Sequence, residues 1–338
     1  MLRASPPRSA AAAVAATGEP IQCPARSGRR LLRAPLLVAV LAAALLAGCG
    51  TSSSSSNSKT STVSTKTTAA SKTAGAGHGK VDVLFAGSLV YLMNNSVGPA
   101  FDKATGYTFS GFPAGSKDLA GDIKGKVRQG DVFISASPKV NATLEGSANG
   151  NWVSWYAPFT STTLVIGYNP KSKFASQLKI KPWYDVIGEP GFKLGLTDPK
   201  LDPKGVLAVA ALQKAAAAYH EPALLKVATG KSNLFPEEDL VGRLGAGQLD
   251  AGFFYTVEAS AAKIPTVSLG SIKESAKYTI TVLERAPHAA GAASFVKFLL
   301  GSQGATLLQK VGLTVLESPK AIGTGVPPAL DQVVQAPK

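Results

Sequence analysis

Two serines and an aspartate occupy positions where a chain of alternating strands and helices can hold an anion. Ser88 follows the apolar run Val81-Asp82-Val83-Leu84-Phe85-Ala86 and Gly87, and Ser116 follows residues 107–112 and the turn Pro113-Ala114-Gly115. A helix start leaves backbone N–H groups unpaired and turns the positive end of its dipole outward. Two facing starts, each with a serine hydroxyl, make a pocket of donors without formal charge that suits an oxyanion. The competing reading is plain capping, since Ser is a preferred N-cap. Asp202, in Asp202-Pro203-Lys204-Gly205, is open in the same way. Asp before Pro commonly caps a helix, whereas beside a dianion its carboxylate repels unless it meets a metal centre or a proton.

Other chemistry is scarce. Three His and two Cys exclude a His/Cys zinc site and a disulfide scaffold. His78, His220 and His288 are isolated in sequence and read as tether or surface residues, so none is placed to activate Ser88 or Ser116. Lys117 beside Ser116 is adjacency only, and Ser56-x-x-Lys59 lies in a low-complexity stretch. Gly245-Ala246-Gly247 lacks the spacing and the Lys of a phosphate loop. Trp152, Trp155 and Trp183 read as packing residues rather than a sugar-stacking platform.

The elements that must position these residues show in the hydrophobic periodicity. Strands are expected over 81–86, 107–112, 131–135, 163–168, 193–196, 250–255, 265–269 and 278–283. Helices are expected after Ser88, after Ser116 with Leu119, Ala120, Ile123 and Val127 facing inward, from Gly205 to about Tyr219, and over 236–244, 289–300 and 303–310. Strands alternating with helices imply a mostly parallel sheet covered on both faces.

The chain of 338 residues carries 35 Lys+Arg against 21 Asp+Glu, a net charge of +14. Residues 1–48 hold +5 of this and residues 49–80 hold +4, so residues 81–338 are only mildly basic and a polyanion-binding role loses its main support. Residues 36–47 are uniformly apolar behind Arg29, Arg30 and Arg33. Twelve residues are too few to span a bilayer but fit the apolar core of a signal peptide. The run ends Leu46-Ala47-Gly48-Cys49, which resembles the lipobox of bacterial lipoproteins. The resemblance implies cleavage before Cys49 and acylation of its thiol. Residues 49–80, rich in Ser, Thr, Ala, Gly and Lys, read as a disordered tether with a reach of about 30 Å.

From Val81 onward the motifs fall into a recognisable order. Phe85-Ala86-Gly87-Ser88-Leu89, Ala114-Gly115-Ser116, Asp131 to Ala136, Trp183-Tyr184-Asp185, Gly195 to Pro199, Asp202-Pro203-x-Gly205 and Gly247 to Tyr255 together resemble the molybdate/tungstate-binding proteins of ABC importers, the tungstate branch most of all. The resemblance covers residues 81–315. It implies an α/β, two-lobed periplasmic-binding-protein fold of type II, each lobe a mostly parallel sheet flanked by helices. Lobe 1 is expected over 81–161 and 264–338, lobe 2 over 162–263, with a two-strand hinge near 162–168 and 265–269.

Carried over by position, Ser88 and Ser116 donate to the oxyanion beside Gly87 and Gly115. Tyr255 donates its hydroxyl, and a backbone N–H contributes around Glu237. Asp202 matches a carboxylate that in the tungstate branch approaches the oxyanion's own metal. The second such carboxylate, just before the tyrosine, is Phe254 here, which puts octahedral coordination in question; Glu258 is either a substitute or a solvated helix-start residue. The expectation is a monomeric binding protein, not an enzyme. It carries no cofactor and binds no nucleic acid; it is lipid-anchored to the outer face of the cytoplasmic membrane and delivers molybdate or tungstate to a permease. The alternatives are sulfate or phosphate in the same cleft, a sensor lipoprotein, or a serine hydrolase.

Overall fold

The computed structural model describes residues 77–336. The signal segment, Cys49 and nearly all of the tether lie outside the described residues. Among the described residues eleven strands form one curled sheet: β1 (Lys80–Ala86), β2 (Thr108–Ala114), β3 (Val132–Ser135), β4 (Trp155–Tyr168), β5 (Leu194–Thr197), β6 (Leu234–Phe235), β7 (Ala251–Tyr255), β8 (Thr266–Val267), β9 (Ser275–Val282), β10 (Thr314–Val315) and β11 (Ile322–Gly323). The main path runs β2-β1-β3-β9-β4-β7-β5-β6, and β8, β10 and β11 add to β4.

Two parallel sets result. β1 pairs in parallel with β2 and with β3, and β5 pairs in parallel with β6 and with β7. Between them runs β4, which is antiparallel to β9 along 157–163 and to β7 along 164–168. Strand β4 therefore spans 14 residues where only 163–168 were expected, because one strand serves both halves of the sheet.

Residues covered on both sides of the sheet form near-continuous apolar runs, as in Val83 to Ala86 and Ala251 to Tyr255. Against the first set, Phe101 meets Phe295 and Phe298 edge-on with ring centroids at 5.1 and 5.7 Å. Against the second lies the helix Pro203–Ala218, which buries Ala208, Ala211, Leu212 and Ala215 at helical spacing. Small side chains on that face let it lie close to the strands.

Several local expectations need correction. Ser88 is not a cap: it lies inside the short 3₁₀ turn Gly87–Leu89, and the helical stretch continues through a π turn at Met93–Val97. Ser116 is the first residue of the helix Ser116–Lys124 and Gly115 takes the cap position, so the serine hydroxyl is free to point elsewhere. Val127 falls beyond that helix and is 74% exposed. The segment 236–244 is a 3₁₀ turn, Glu237–Asp239, followed by the helix Leu240–Gly245. Only Thr266–Val267 of 265–269 is strand.

Candidate functional site

Every sequence-selected polar residue of the core lies at or just beyond the carboxyl end of a parallel strand, where open α/β sheets gather ligands. Ser88 follows β1, Ser116 follows β2, Asp202 lies in the segment after β5, Glu237 follows β6, and Tyr255 ends β7. The two sets of ends face each other. A Cβ on Gly87 would lie 3.1 Å from Glu237, and one on Gly115 would lie 2.7 Å from the Leu201 carbonyl oxygen. The close approach at Gly115 lets Lys117 and Asp118 donate their backbone N–H groups to Leu201 O at 2.9 and 3.1 Å. Lys117 Nζ adds a bond to Pro199 O at 2.8 Å, which removes it from any partnership with Ser116.

Between these walls lies a cavity of about 280 Å³, lined among others by Gly115, Thr197, Asp202, Pro236, Glu237 and Glu238. A larger groove, about 870 Å³, runs beside Ala120, Pro138, Val140, Pro203 and Leu207; its lining is mostly apolar and brings no buried carboxylate or hydroxyl cluster together.

The side chains of Ser88, Ser116, Asp202, Glu237, Tyr255 and Glu258 are all buried. Ser88 Oγ is 2.8 Å from Tyr278 Oη on β9, and Ser116 Oγ accepts from Ala136 N at 3.0 Å. Asp202 is the helix cap weighed for it, with one carboxylate oxygen left over. Its Oδ1 caps the helix Pro203–Ala218 by accepting from Lys204 N at 3.0 Å, and its Oδ2 is buried without a hydrogen-bond partner. Tyr255 Oη, Thr197 Oγ1 and both carboxylate oxygens of Glu237 are likewise buried and unpartnered. Buried polar atoms are normally paired, so this concentration of orphans singles the place out as the candidate site.

Glu258 is not a solvated helix-start residue. Its Oε1 accepts from Lys204 Nζ at 2.7 Å and its Oε2 from Tyr255 N at 2.8 Å, so both oxygens are committed within the protein. The sequence reading missed Lys204, which is the unassigned residue of Asp-Pro-x-Gly. It is 1% exposed, and Nζ also lies 3.5 Å from Glu237 Oε1. Burial alone favours the neutral amine, but Glu258, Glu237 and Asp202 more than offset this and hold the ammonium charged. Burial raises the carboxyls of Glu237, Asp202 and Glu258; Asp202 pushes Glu237 further, well above the usual carboxylate range, while Lys204 opposes the rise in all three. Burial, with the neighbouring carboxylates, also drives the Tyr255 and Tyr278 phenols well above their ordinary value. Both phenols stay protonated and able to donate. The side chain of Glu237 and Tyr278 were also missed. Neither carried a local pattern, although Glu237 had been singled out for its backbone.

His288, expected to be isolated, meets Asp131 Oδ2 at 2.9 Å beside Asp82. Asp131 also accepts from Asp82 N and His288 N, at 2.7 and 2.6 Å, and Lys80 pairs with Asp82 at 2.9 Å. Each carboxylate in that group has a partner, and it acts as a clamp between strand and helix. Trp155 and Trp183 are buried in the core, and Trp152 carries the Arg285 guanidinium 4.0 Å above its ring.

Residues 81–314 match the family of bacterial extracellular solute-binding proteins. The chain is 31% identical over 191 residues to a putative ABC transporter molybdenum-binding protein of Haloferax volcanii, covering 56% of this chain and 59% of that one. It is 26% identical over 237 residues to the molybdate/tungstate-binding protein WtpA of Thermococcus kodakarensis, covering 55% and 67%. The fold is that of the periplasmic binding proteins. The periplasmic molybdate-binding protein of Azotobacter vinelandii superposes with a TM-score of 0.53 at 17% identity, over 70% of this chain and 99% of that one.

Proposed function

The chain belongs to the bacterial extracellular solute-binding proteins, and on that premise we propose that it captures molybdate or tungstate and hands it to the permease of an ABC importer. The observation that carries the reading is that Ser88, Ser116, Asp202, Glu237 and Tyr255, all buried, stand at two facing sets of strand ends, with Asp202 and Glu237 lining the small cavity between them. Two hydroxyls and a phenol held protonated supply donors to an oxyanion, and each hydrogen bond to a charged group contributes about 1.5–3 kcal/mol. Resemblance to molybdenum- and tungstate-binding relatives selects the larger oxyanions.

The site binds rather than transforms. Ser88 is bonded to Tyr278 and Ser116 to Ala136 N, and neither meets an imidazole base. Lobes of 81–161 with 264–338 and of 162–263 close on the ligand about a hinge at β4, and closure presents both to the permease. Export and acylation of Cys49 tie the monomer to the outer face of the cytoplasmic membrane. No helix among the described residues is long and apolar enough to cross a membrane.

A second reading keeps the cleft and changes the ligand. The unpartnered oxygens of Asp202 and Glu237 would accept the proton of a hydrogenphosphate-like anion. Thermal unfolding with molybdate, tungstate, sulfate and phosphate separates the two. A ligand at 100 times its dissociation constant stabilises by about 2.7 kcal/mol, which is a rise of several degrees in midpoint. A rise confined to molybdate and tungstate is expected. A rise with phosphate alone establishes the second reading, and no rise with any oxyanion overturns both.

A further inference from the structure

We infer that the cavity takes up its oxyanion together with one proton, and that Glu237 carries that proton and donates it as a hydrogen bond to the ligand. The inference rests on the oxyanion reading above and adds to it a residue and a pH dependence.

The buried groups around the cavity are three carboxylates, Asp202, Glu237 and Glu258, and one ammonium, Lys204. Lys204 is spent on Glu258, at 2.7 Å with a shared hydrogen bond, and stands 3.5 Å from Glu237. Two carboxylates are left without a committed cation, in a space meant for a dianion. Like charges at this depth cannot all persist, because burial penalises each and they repel one another.

The remaining negative charge is most readily removed at Glu237. Asp202 keeps a backbone donor on Oδ1, from Lys204 N, and Glu258 has donors on both oxygens; Glu237 has none on either. Its surroundings come from every wall. Ser88 follows β1, Asp202 and Lys204 open the helix Pro203–Ala218, Tyr255 ends β7, Glu258 lies on the helix Thr256–Ala261, and Tyr278 lies on β9. Glu238 and Asp239 follow on its own turn, and Asp118 faces Glu238 from the helix Ser116–Lys124. Of these, Lys204 favours the anion by charge and the Ser88 hydroxyl favours it as a donor, and both are outweighed by burial and the neighbouring carboxylates. Burial and Asp202 lift the Glu237 carboxyl far above its ordinary range, in agreement with the count. A protonated carboxyl has one O–H to donate, which turns an obstacle to an oxyanion into a contact for it.

The test is calorimetric titration of the full chain with molybdate from about pH 6 to about pH 10, in pairs of buffers with different ionisation enthalpies. Wild-type affinity should be flat at the acid end. Once the pH passes the titration of Glu237 in the free protein, affinity should fall about tenfold per pH unit, with about one proton taken up per ligand. Glu237→Gln places a neutral donor in the same position; it should keep the acid-end affinity and lose both the slope and the proton uptake. An unchanged slope in Glu237→Gln overturns the inference. So does loss of affinity at the acid end in a variant whose unfolding midpoint is unaltered, because the residue then acts as an anion. Should the variant not fold, wild-type titration still decides: binding without proton uptake across the range defeats the inference and leaves the function standing. No binding of any oxyanion at any pH removes the functional reading itself.

Discussion

Ser88 Oγ and Tyr278 Oη lie 2.8 Å apart, both buried, although 190 residues separate them in the chain. The bond ties the turn after β1 to β9 and fixes the direction in which the serine hydroxyl can point. Tyr278→Phe should therefore cost about 1 kcal/mol of stability and lower oxyanion affinity several-fold. Ser88→Ala should lower affinity by about tenfold or more, the worth of one hydrogen bond to a charged ligand. Titration with molybdate checks both; equal affinity in all three proteins would remove Ser88 from the site.

Among the described residues Lys204 is the one buried cation beside the three buried carboxylates Asp202, Glu237 and Glu258. Lys204→Met leaves Glu258 without its counter-charge, and breaking a buried pair in this way costs about 3–5 kcal/mol. Adding Glu258→Gln removes the stranded charge, so the double variant should recover most of the loss in denaturant unfolding. A double variant no more stable than the single would show that the pair is not what holds these groups.

Gly115 touches the opposite wall. Its replacement by Ala would put a methyl 2.7 Å from Leu201 O and 3.3 Å from the Asp202 Cβ, separating the N–H groups of Lys117 and Asp118 from their shared acceptor. Gly115→Ala should weaken molybdate binding by about tenfold, the equivalent of roughly 1.4 kcal/mol, and enlarge the particle in solution scattering. Gly121→Ala, with nothing within 4 Å of the new methyl, is the control and should leave both unchanged.

Stability should depend on pH through the same cluster. Glu237 and Asp202 have folded-state values raised above their ordinary 4.5 and 3.8. Their contribution is thus complete below those ordinary values and is lost as the pH climbs towards the raised ones. The ligand-free chain should melt at progressively lower temperature as the pH rises above the ordinary 4.5 of Glu237, and Glu237→Gln should flatten that decline. Parallel melting curves for the two proteins would place the pH dependence elsewhere.

The order of elements was legible because it rests on local periodicity. The run from Val81 to Ala86, the helix after Gly115 and the strand at residues 250–255 each announce themselves within a few residues, and their strands end where Ser88, Ser116 and Tyr255 stand. Boundaries failed where a distant partner set them. Residues 155–162 became strand because β9 and the C-terminal strands β10 and β11 pair there, and local pattern carries no record of partners more than a hundred residues away.

The site divides in the same way. Sequence by itself determined that two Gly-Ser turns and an Asp-Pro helix start lie at strand ends, since turn chemistry and helix capping act over three or four residues. Tertiary structure decided what surrounds them. Lys204, Glu237 and Glu258 each look like ordinary surface charges within their own segments, yet all three are buried against one another. Charge burial is a property of which walls meet, because only the opposing segments can supply the partner that makes it tolerable.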